Sequence, residues 1–394
     1  MDCQARERIE LGVIAFPPIN GSLFLLVSEK MTRHSRGGPF HWKLGVKPNP
    51  FILVCQLAIM NPKNPSIKEL LMFRDNHYDY LEYLFRKNYH SDLLSRRKLP
   101  KSISVSRSAS IVIPVFKFPD LLFLTLQSIQ SQSIMKSKKD EIEVVIVDDN
   151  GNKELAEWVN HLDFDFRIIY LKNKQNMGIS ASRNKGLKKA SNEIVFFLDS
   201  DVLLDRDFLF EHLARHELFD NIITFSLKHN VEYEKSKLEK LSQQISRGIS
   251  LTNKGWDDFR YFKDMRDFYT PSRPKTPSPT RLLHQTAYLK QFGNFREIHG
   301  ITLANTVVGH NIVVSTRTAR TIGGFCEKFK SWGLEDTEFS ARAIASGLFV
   351  IPCLSTSLLC VNHKPRRLNE NIICSLEKNY KIYSKILNTP LGCD

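Results

Sequence analysis

The stretch Asn192-Glu193-Ile194-Val195-Phe196-Phe197-Leu198-Asp199-Ser200-Asp201 decides how this chain is read. Its apolar run is too short for a helix and has no alternation, which predicts a strand over Glu193–Leu198 buried on both faces. The strand stops at two carboxylates spaced i, i+2. Three similar runs precede it: Ser110–Val115 (SIVIPV), Glu143–Val147 (EVVIV) and Arg167–Leu171 (RIIYL). Between them, amphipathic stretches predict helices over Asp120–Ser131, Glu154–Leu162 and Ser180–Ala190. Strands and helices in alternation make an α/β fold with a parallel sheet. Ligands of such sheets bind beyond the carboxyl ends of the strands, so the residues just after each strand are the ones to examine.

The 394 residues are 42% hydrophobic and 25% charged, with 18 Gly and 17 Pro, which excludes collagen-like and mostly disordered chains. A formal net charge of +14 favours anionic partners: phosphorylated small molecules, nucleic acid or an anionic membrane surface. No zinc-finger, helix-turn-helix or RNA-recognition signature accompanies that charge, so nucleic acid is not the expected partner. Cysteines at 3, 55, 326, 353, 360, 374 and 393 form no C-x-x-C pair and suit a reducing cytoplasm. The apolar run Leu11–Val27 is broken by Pro17, Pro18, Asn20 and Gly21, and Phe51–Met60 is about half of the ~20 residues a spanning helix needs. The start MDCQARERIE lacks the character of a signal peptide.

Each strand end carries candidate chemistry. Asp199 and Asp201 can converge on one hard divalent cation, Mg²⁺ or Mn²⁺, of the kind that bridges nucleotide phosphates; the same triplet also reads as a turn with solvated acids. Asp148 and Asp149, closing the second strand, read either as a turn cap or as acceptors for a base or ribose. After the third strand, Asn176 and Gly178 form a tight loop into a helix carrying Arg183 and Asn184. Arg183 lies near that helix start, where backbone N–H groups favour phosphate, and its fork suits a diphosphate. Lys185, Lys188 and Lys189 read as solvated surface charge. Further on, Asn311–Ser315 predicts a strand, and the second half of Ser331–Gly347 a helix. Residues 66–89 predict one or two helices, residues 227–300 an irregular charged region, and TPSRPKTPSPT (270–280) a loop. No internal repeat is visible.

These motifs, in this order, resemble the family 2 glycosyltransferases with the GT-A fold. The resemblance rests on SIVIPVFKFPDLLFLTLQSI, EVVIVDDNG, NMGISASRNKGLKKASNEIVFFLDSDVLL and NIVVSTRTARTIGGFCEKFKSWGLEDTEFSARAIASG, about two thirds of the chain. The last segment is similar to the galactosyltransferase-type region of bacterial chondroitin and capsule polymerases. The resemblance implies a Rossmann-like, mostly parallel sheet with helices on both faces, plus an N-terminal accessory region. It implies that Pro114, Val115 and Phe116 line the nucleotide pocket, and that one of Asp148 and Asp149 holds the uracil or ribose. It puts Asn176, Arg183, Asn184 and Ser200 on the donor side, and Asp199 and Asp201 on Mn²⁺ or Mg²⁺, with His363 completing the metal site. Trp332 and Gly333 would lie at the acceptor, Glu335 and Asp336 would be the catalytic acids, and Asp336 the general base. Read without the motif, Glu335 and Asp336 are acids at a helix start, Trp332 a core tryptophan and His363 a structural histidine.

Two departures stand out. Cys326 replaces the acid usual after Gly323-Gly324-Phe325, and Asp149 is followed by Asn150-Gly151 rather than Gly-Ser. The expected layout is an accessory region at 1–107, a nucleotide-sugar half at 108–226, a basic insert with acceptor loops at 227–300, and an acceptor and base half at 301–394. The expected activity is metal-dependent transfer from a nucleotide sugar, a UDP-sugar first, to a hydroxyl of a glycan, lipid-linked or other acceptor. It would be inverting, in the cytoplasm or peripherally at the inner membrane face. The alternative is an inactive GT-A-like protein that binds a glycan or partner.

Overall fold

The computed structural model describes residues 64–74, 76–116, 119–149, 153–247, 258, 302–362 and 370–392, together with the backbone of 11–15 and 25–29. The chain divides into two compact units, Met1–Asn49 and Pro50–Asp394. In the first, β1 (Leu11–Ala15) pairs antiparallel with β2 (Leu25–Glu29), in a register that sets Leu11 opposite Glu29 and Ala15 opposite Leu25. The apolar stretch broken by two prolines is therefore two strands. Among the described residues no helix is long and apolar enough to cross a membrane.

The second unit is built on an eight-stranded sheet. Its first four strands are β3 (Ala109–Val115), β4 (Ile142–Asp148), β5 (Arg167–Lys172) and β6 (Ile194–Leu198). Then come β7 (Val202–Leu204), β8 (Ile222–Glu232), β9 (Asn311–Ser315) and β10 (Phe349–Asn362). They lie in the order β5-β4-β3-β6-β9-β8-β10-β7. The pairs β5–β4, β4–β3, β3–β6 and β8–β10 are parallel; β6–β9, β9–β8 and β10–β7 are antiparallel. Every residue of β3, β4 and β6 is buried, so these strands are covered on both faces, as their unbroken apolar runs predict. The edge strand β5 is only half-buried. Because β4 lies on one side of β3 and β6 on the other, the strand order reverses at β3, which opens a crevice at the carboxyl ends of β3 and β6.

The helices α1 (Ile67–Phe73), α2 (Asp79–Tyr89), α3 (Pro119–Gln130), α4 (Lys153–Asn160) and α5 (Ile179–Lys189) fall within a few residues of their predicted spans. Gly186 lets α5 press onto β3: a Cβ there would stand 2.3 Å from Val112 Cγ1. The charged stretch from 227 opens with regular structure, contrary to expectation. β8 runs on to Glu232, and the helix Lys235–Ser246 follows. The 270–280 loop lies outside the described residues.

Residues before 108 contribute directly to the main core. Ile67, Leu70, Leu71, Tyr78, Leu81, Phe85, Leu93 and Leu99 are all buried in the same apolar cluster as β3, β4 and β6. Each such side chain is worth roughly 1.5–3 kcal/mol of burial. Charged contacts add to the join: Lys98 bridges Asp205 and Asp207 at 2.8 and 2.9 Å, and Ser106 and Arg107 donate backbone N–H groups to Glu217 at 2.8 and 3.2 Å. Ser66 pairs with Pro390, and Ile67 N donates to Thr389 O at 2.8 Å.

Candidate active site

The crevice is walled by the loops that follow β3, β4, β5 and β6 and by the start of the helix α6 (Glu335–Ala345). At the end of β3, Pro114 and Val115 are buried in the sheet, while Phe116, the next residue, is 43% exposed and offers a ring at the crevice mouth. Asp148 and Asp149 are 1% and 5% exposed. Asp148 accepts a hydrogen bond from Tyr170 Oη at 2.7 Å; burial first, and then that bond, push the tyrosine hydroxyl pKa up. Asp149 Oδ1 accepts from Asn173 Nδ2 at 2.7 Å and Met177 N at 2.8 Å, and Oδ2 from Gly178 N at 2.9 Å. One carboxylate thus ties down the whole 173–178 loop. Asn176, exposed at its tip, accepts from Gly178 N at 3.0 Å, and Gly178 takes φ +88°. Both aspartates therefore shape this wall of the crevice through Tyr170 and the 173–178 loop.

The helix α5 carries two residues predicted to face a nucleotide. Asn184 is buried and reads the backbone of the Gly-Gly-Phe turn: Nδ2 donates to Phe325 O at 2.8 Å and to Glu327 Oε1 at 2.9 Å, and Phe325 N donates back to Oδ1 at 2.7 Å. Arg183 is 1% exposed. Its Nη2 donates to Asp199 Oδ1 and to Gly309 O, both at 3.0 Å, and its Nη1 meets Glu335 Oε1 at 3.3 Å. The guanidinium also lies 5.1 Å from the Phe325 ring centroid. Buried among these partners, the guanidinium meets the crevice through Asp199. The helix-start position was legible in sequence; the burial was not, because Glu335 lies 152 residues away.

Asp199 and Asp201 emerge at the end of β6, both partly exposed. The Asp199 side chain keeps 32% of its surface. Ser200 O accepts from Thr125 Oγ1 at 3.0 Å, and Asp201 O from Val361 N at 2.9 Å, so the turn is anchored to α3 and β10 by its backbone, while Asp199 Oδ1 is held by Arg183 Nη2. Two hard oxygen donors at an open strand end fit a Mg²⁺- or Mn²⁺-type ion, which retains several positions for water and phosphate. Among the described residues no three His, Cys, Asp or Glu side chains gather into a metal cluster. His363 lies outside the described residues.

The second acidic pair sits at the start of α6, after two residues in left-handed backbone, Gly333 at φ +102° and Leu334 at φ +70°. That conformation is costly for a leucine and is held by its surroundings. Asn379, on the helix α7 (Glu370–Leu387), brings its Nδ2 within 3.1, 3.2 and 2.8 Å of the carbonyls of Ser331, Trp332 and Gly333. Trp332 is 46% exposed. An open groove of about 470 Å³ beside it is lined by Leu334, Leu376, Glu377, Tyr380 and Lys381. Acids in a first helical turn are favoured by the helix dipole, but these two differ from each other. Asp336 is partly exposed; its Oδ2 accepts from Gly309 N at 2.9 Å and its Oδ1 from Thr337 N at 2.7 Å. Glu335 is buried, and its Oε2 has no partner among the described residues. Burial, then the Asp336 charge, raise its pKa from 4.5 to about 7, against the opposing pull of Arg183.

Gly309 is the site residue that sequence reading missed. Its C=O accepts from Arg183 and its N–H donates to Asp336. A lone glycine in VVGHN carries no motif; the close approach of a guanidinium, which would leave a Cβ 2.5 Å from Arg183 Nη2, is visible only in three dimensions.

Residues 110–290 match the family model described as "Glycosyl transferase family 2", and residues 294–357 match one described as "N-terminal domain of galactosyltransferase". The chain is similar to glycosyltransferase YfnE of Bacillus subtilis, at 27% identity over 149 residues, 35% of this chain and 37% of that protein. It is also similar to chondroitin synthase of Pasteurella multocida, at 22% identity over 254 residues, 63% of this chain and 24% of that protein. It thus spans well under half the length of these curated relatives. A crystal structure of S. aureus TarS 1-349 in complex with UDP-GlcNAc aligns with a TM-score of 0.46 at 15% identity, over 71% of this chain and 66% of that one.

Proposed function

We propose that this chain, whose residues 110–290 match the family 2 glycosyl transferase model, moves a hexosyl group from a nucleotide sugar, with a UDP-sugar as the first to test, to an acceptor hydroxyl with inversion. The observation that carries this reading is the meeting of two carboxylate pairs at one crevice: Asp199 and the acids Glu335 and Asp336 are joined through Arg183 and Gly309. A glycan, lipid-linked or other hydroxyl-bearing acceptor is proposed for the side of Trp332 and Gly333. The cytoplasm, with peripheral contact at the inner membrane face, is proposed as the location; the free thiols of Cys326, Cys353 and Cys374 suit it.

Displacement at an anomeric carbon needs three things from the protein. The departing diphosphate must lose its growing charge, the acceptor must lose a proton, and the two must be aligned. Asp199 and Asp201 would hold Mn²⁺ or Mg²⁺, with His363 as a further proposed ligand, and the ion would neutralise the diphosphate. Asp336 takes the acceptor proton. Its two N–H partners fix the carboxylate while its exposed side remains open to a hydroxyl. Glu335, buried beneath it, orients Arg183. Trp332 gives an apolar face to a sugar ring, and Phe116, Tyr170 and the 173–178 loop give the nucleoside its walls.

The test uses the full chain with Mn²⁺ and a panel of UDP-hexoses and UDP-N-acetylhexosamines. A donor should raise the thermal midpoint, and UDP should be released. Asp336→Asn should lower turnover by roughly 10²–10⁴-fold and leave donor binding intact. Loss of donor binding with chemistry retained would overturn the assignment of the base. Donor binding without UDP release from the unaltered chain would point instead to an inactive binding protein.

A further inference from the structure

We propose that Arg183 is a positioning residue for sugar transfer: with Gly309 it locks the donor-side carboxylate Asp199 and the acceptor-side acids Glu335 and Asp336 into one frame. The inference rests on the glycosyltransferase reading above and goes beyond it, because it gives a catalytic purpose to a side chain that is 1% exposed.

The geometry is specific. One nitrogen of the guanidinium is shared by Asp199 and the Gly309 carbonyl at 3.0 Å each, and the other meets Glu335 at 3.3 Å. Gly309 then passes the constraint on through its own N–H, 2.9 Å from Asp336 Oδ2. A planar fork is what such an arrangement requires; an ammonium is a point donor and cannot span it. The charged groups facing the guanidinium are Asp199 at the end of β6 and Glu335 at the start of α6, and the Phe325 ring closes a further side.

A purely stabilising role fits less well. Burying charges costs several kcal/mol per ion, and well-packed apolar residues often do as well or better. This cluster also leaves Arg183 Nε and Glu335 Oε2 buried without partners among the described residues. It is imperfect as a stabiliser, yet its outer members, Asp199 and Asp336, are the ones that reach the crevice. Unpaired atoms and an awkward backbone at Leu334 mark a site held in place by the rest of the fold. Aligning donor and acceptor groups is where small displacements matter: about 1 Å can cost 10²-fold in rate.

Two variants separate positioning from folding. Arg183→Lys keeps the charge and loses the fork. Gly309→Ala keeps every charge, and its backbone is not in the left-handed region, so alanine can adopt it. Its Cβ would nevertheless stand 2.5 Å from Nη2 and displace the guanidinium. UDP release from a UDP-sugar with Mn²⁺ is measured across donor concentration, alongside thermal midpoints and calorimetric UDP binding. The expected result in both variants is a kcat at least tenfold lower, with donor KM and UDP affinity within about threefold of the unaltered chain. A wild-type kcat in Gly309→Ala, or a rise in KM with kcat unchanged, would overturn the inference. If Arg183→Lys fails to fold, Gly309→Ala alone decides. If the unaltered chain neither binds nor turns over any UDP-sugar, the glycosyltransferase reading fails, and this inference with it.

Discussion

Replacing Glu335 by glutamine should make stability less sensitive to pH in a defined window. The Glu335 carboxyl is buried, and its pKa rises from 4.5 to about 7, first because of burial and then because of the neighbouring Asp336 charge, with Arg183 pulling the other way. At about 1.4 kcal/mol per pKa unit, this amounts to about 3 kcal/mol between the neutral and ionised forms. Between the two values the folded chain holds a proton that the unfolded chain releases. The stability tied to the neutral form is therefore fully present below about pH 4.5 and is lost as pH rises through about 7. Glutamine keeps an oxygen for Arg183 Nη1 and never ionises. Urea unfolding in EDTA, followed by tryptophan fluorescence, should show Glu335→Gln gaining stability relative to the unaltered chain from pH 5 to pH 8, by up to about 3 kcal/mol. Groups distant from Glu335 titrate alike in both proteins and cancel in the difference. A difference that stays constant from pH 5 to 8 would refute the buried, strained carboxyl.

Three further outcomes follow from the geometry. Asp149→Asn cannot accept from all three donors of the 173–178 loop; it should cost about 2 kcal/mol in chemical unfolding and raise donor KM. Gly186→Ala drives a methyl against Val112; overpacking there should cost about 1–3 kcal/mol, read as a lower denaturation midpoint. Asp199→Ala and Asp201→Ala should each abolish the thermal stabilisation by UDP with Mn²⁺, which at a hundredfold excess over Kd is worth about 2.7 kcal/mol; full stabilisation in both would remove the cation from the proposal.

What sequence could show here depended on range. The buried strands 109–115, 142–148 and 194–198 announce themselves because nearly every residue is apolar, and the carboxylates at the ends of the last two follow from chain position alone. The strand β10 does not announce itself. It contains Pro352, its register with β8 slips between Pro352 and Ser357, and Ser355, Thr356 and Ser357 are buried in its middle. Ser355 bonds Glu211 at 2.6 Å, a buried polar partner invisible to any local pattern. The same limit applies at the site. Asp199, Asp201, Glu335 and Asp336 were legible as residue types at strand and helix ends, whereas the burial of Arg183 and the double use of Gly309 depend on partners far along the chain.

The bridge between Ser66 and Pro390 has a practical side. Where two distant points of a folded unit lie side by side, the polypeptide can in principle be rejoined there and opened elsewhere. A version closed across these two positions, with new ends cut into an exposed turn away from the crevice, would keep the strand order and every contact of Arg183. It would also tie the start of the helix at 67–73 to the segment that follows the helix at 370–387 by a covalent link in place of a single backbone pairing.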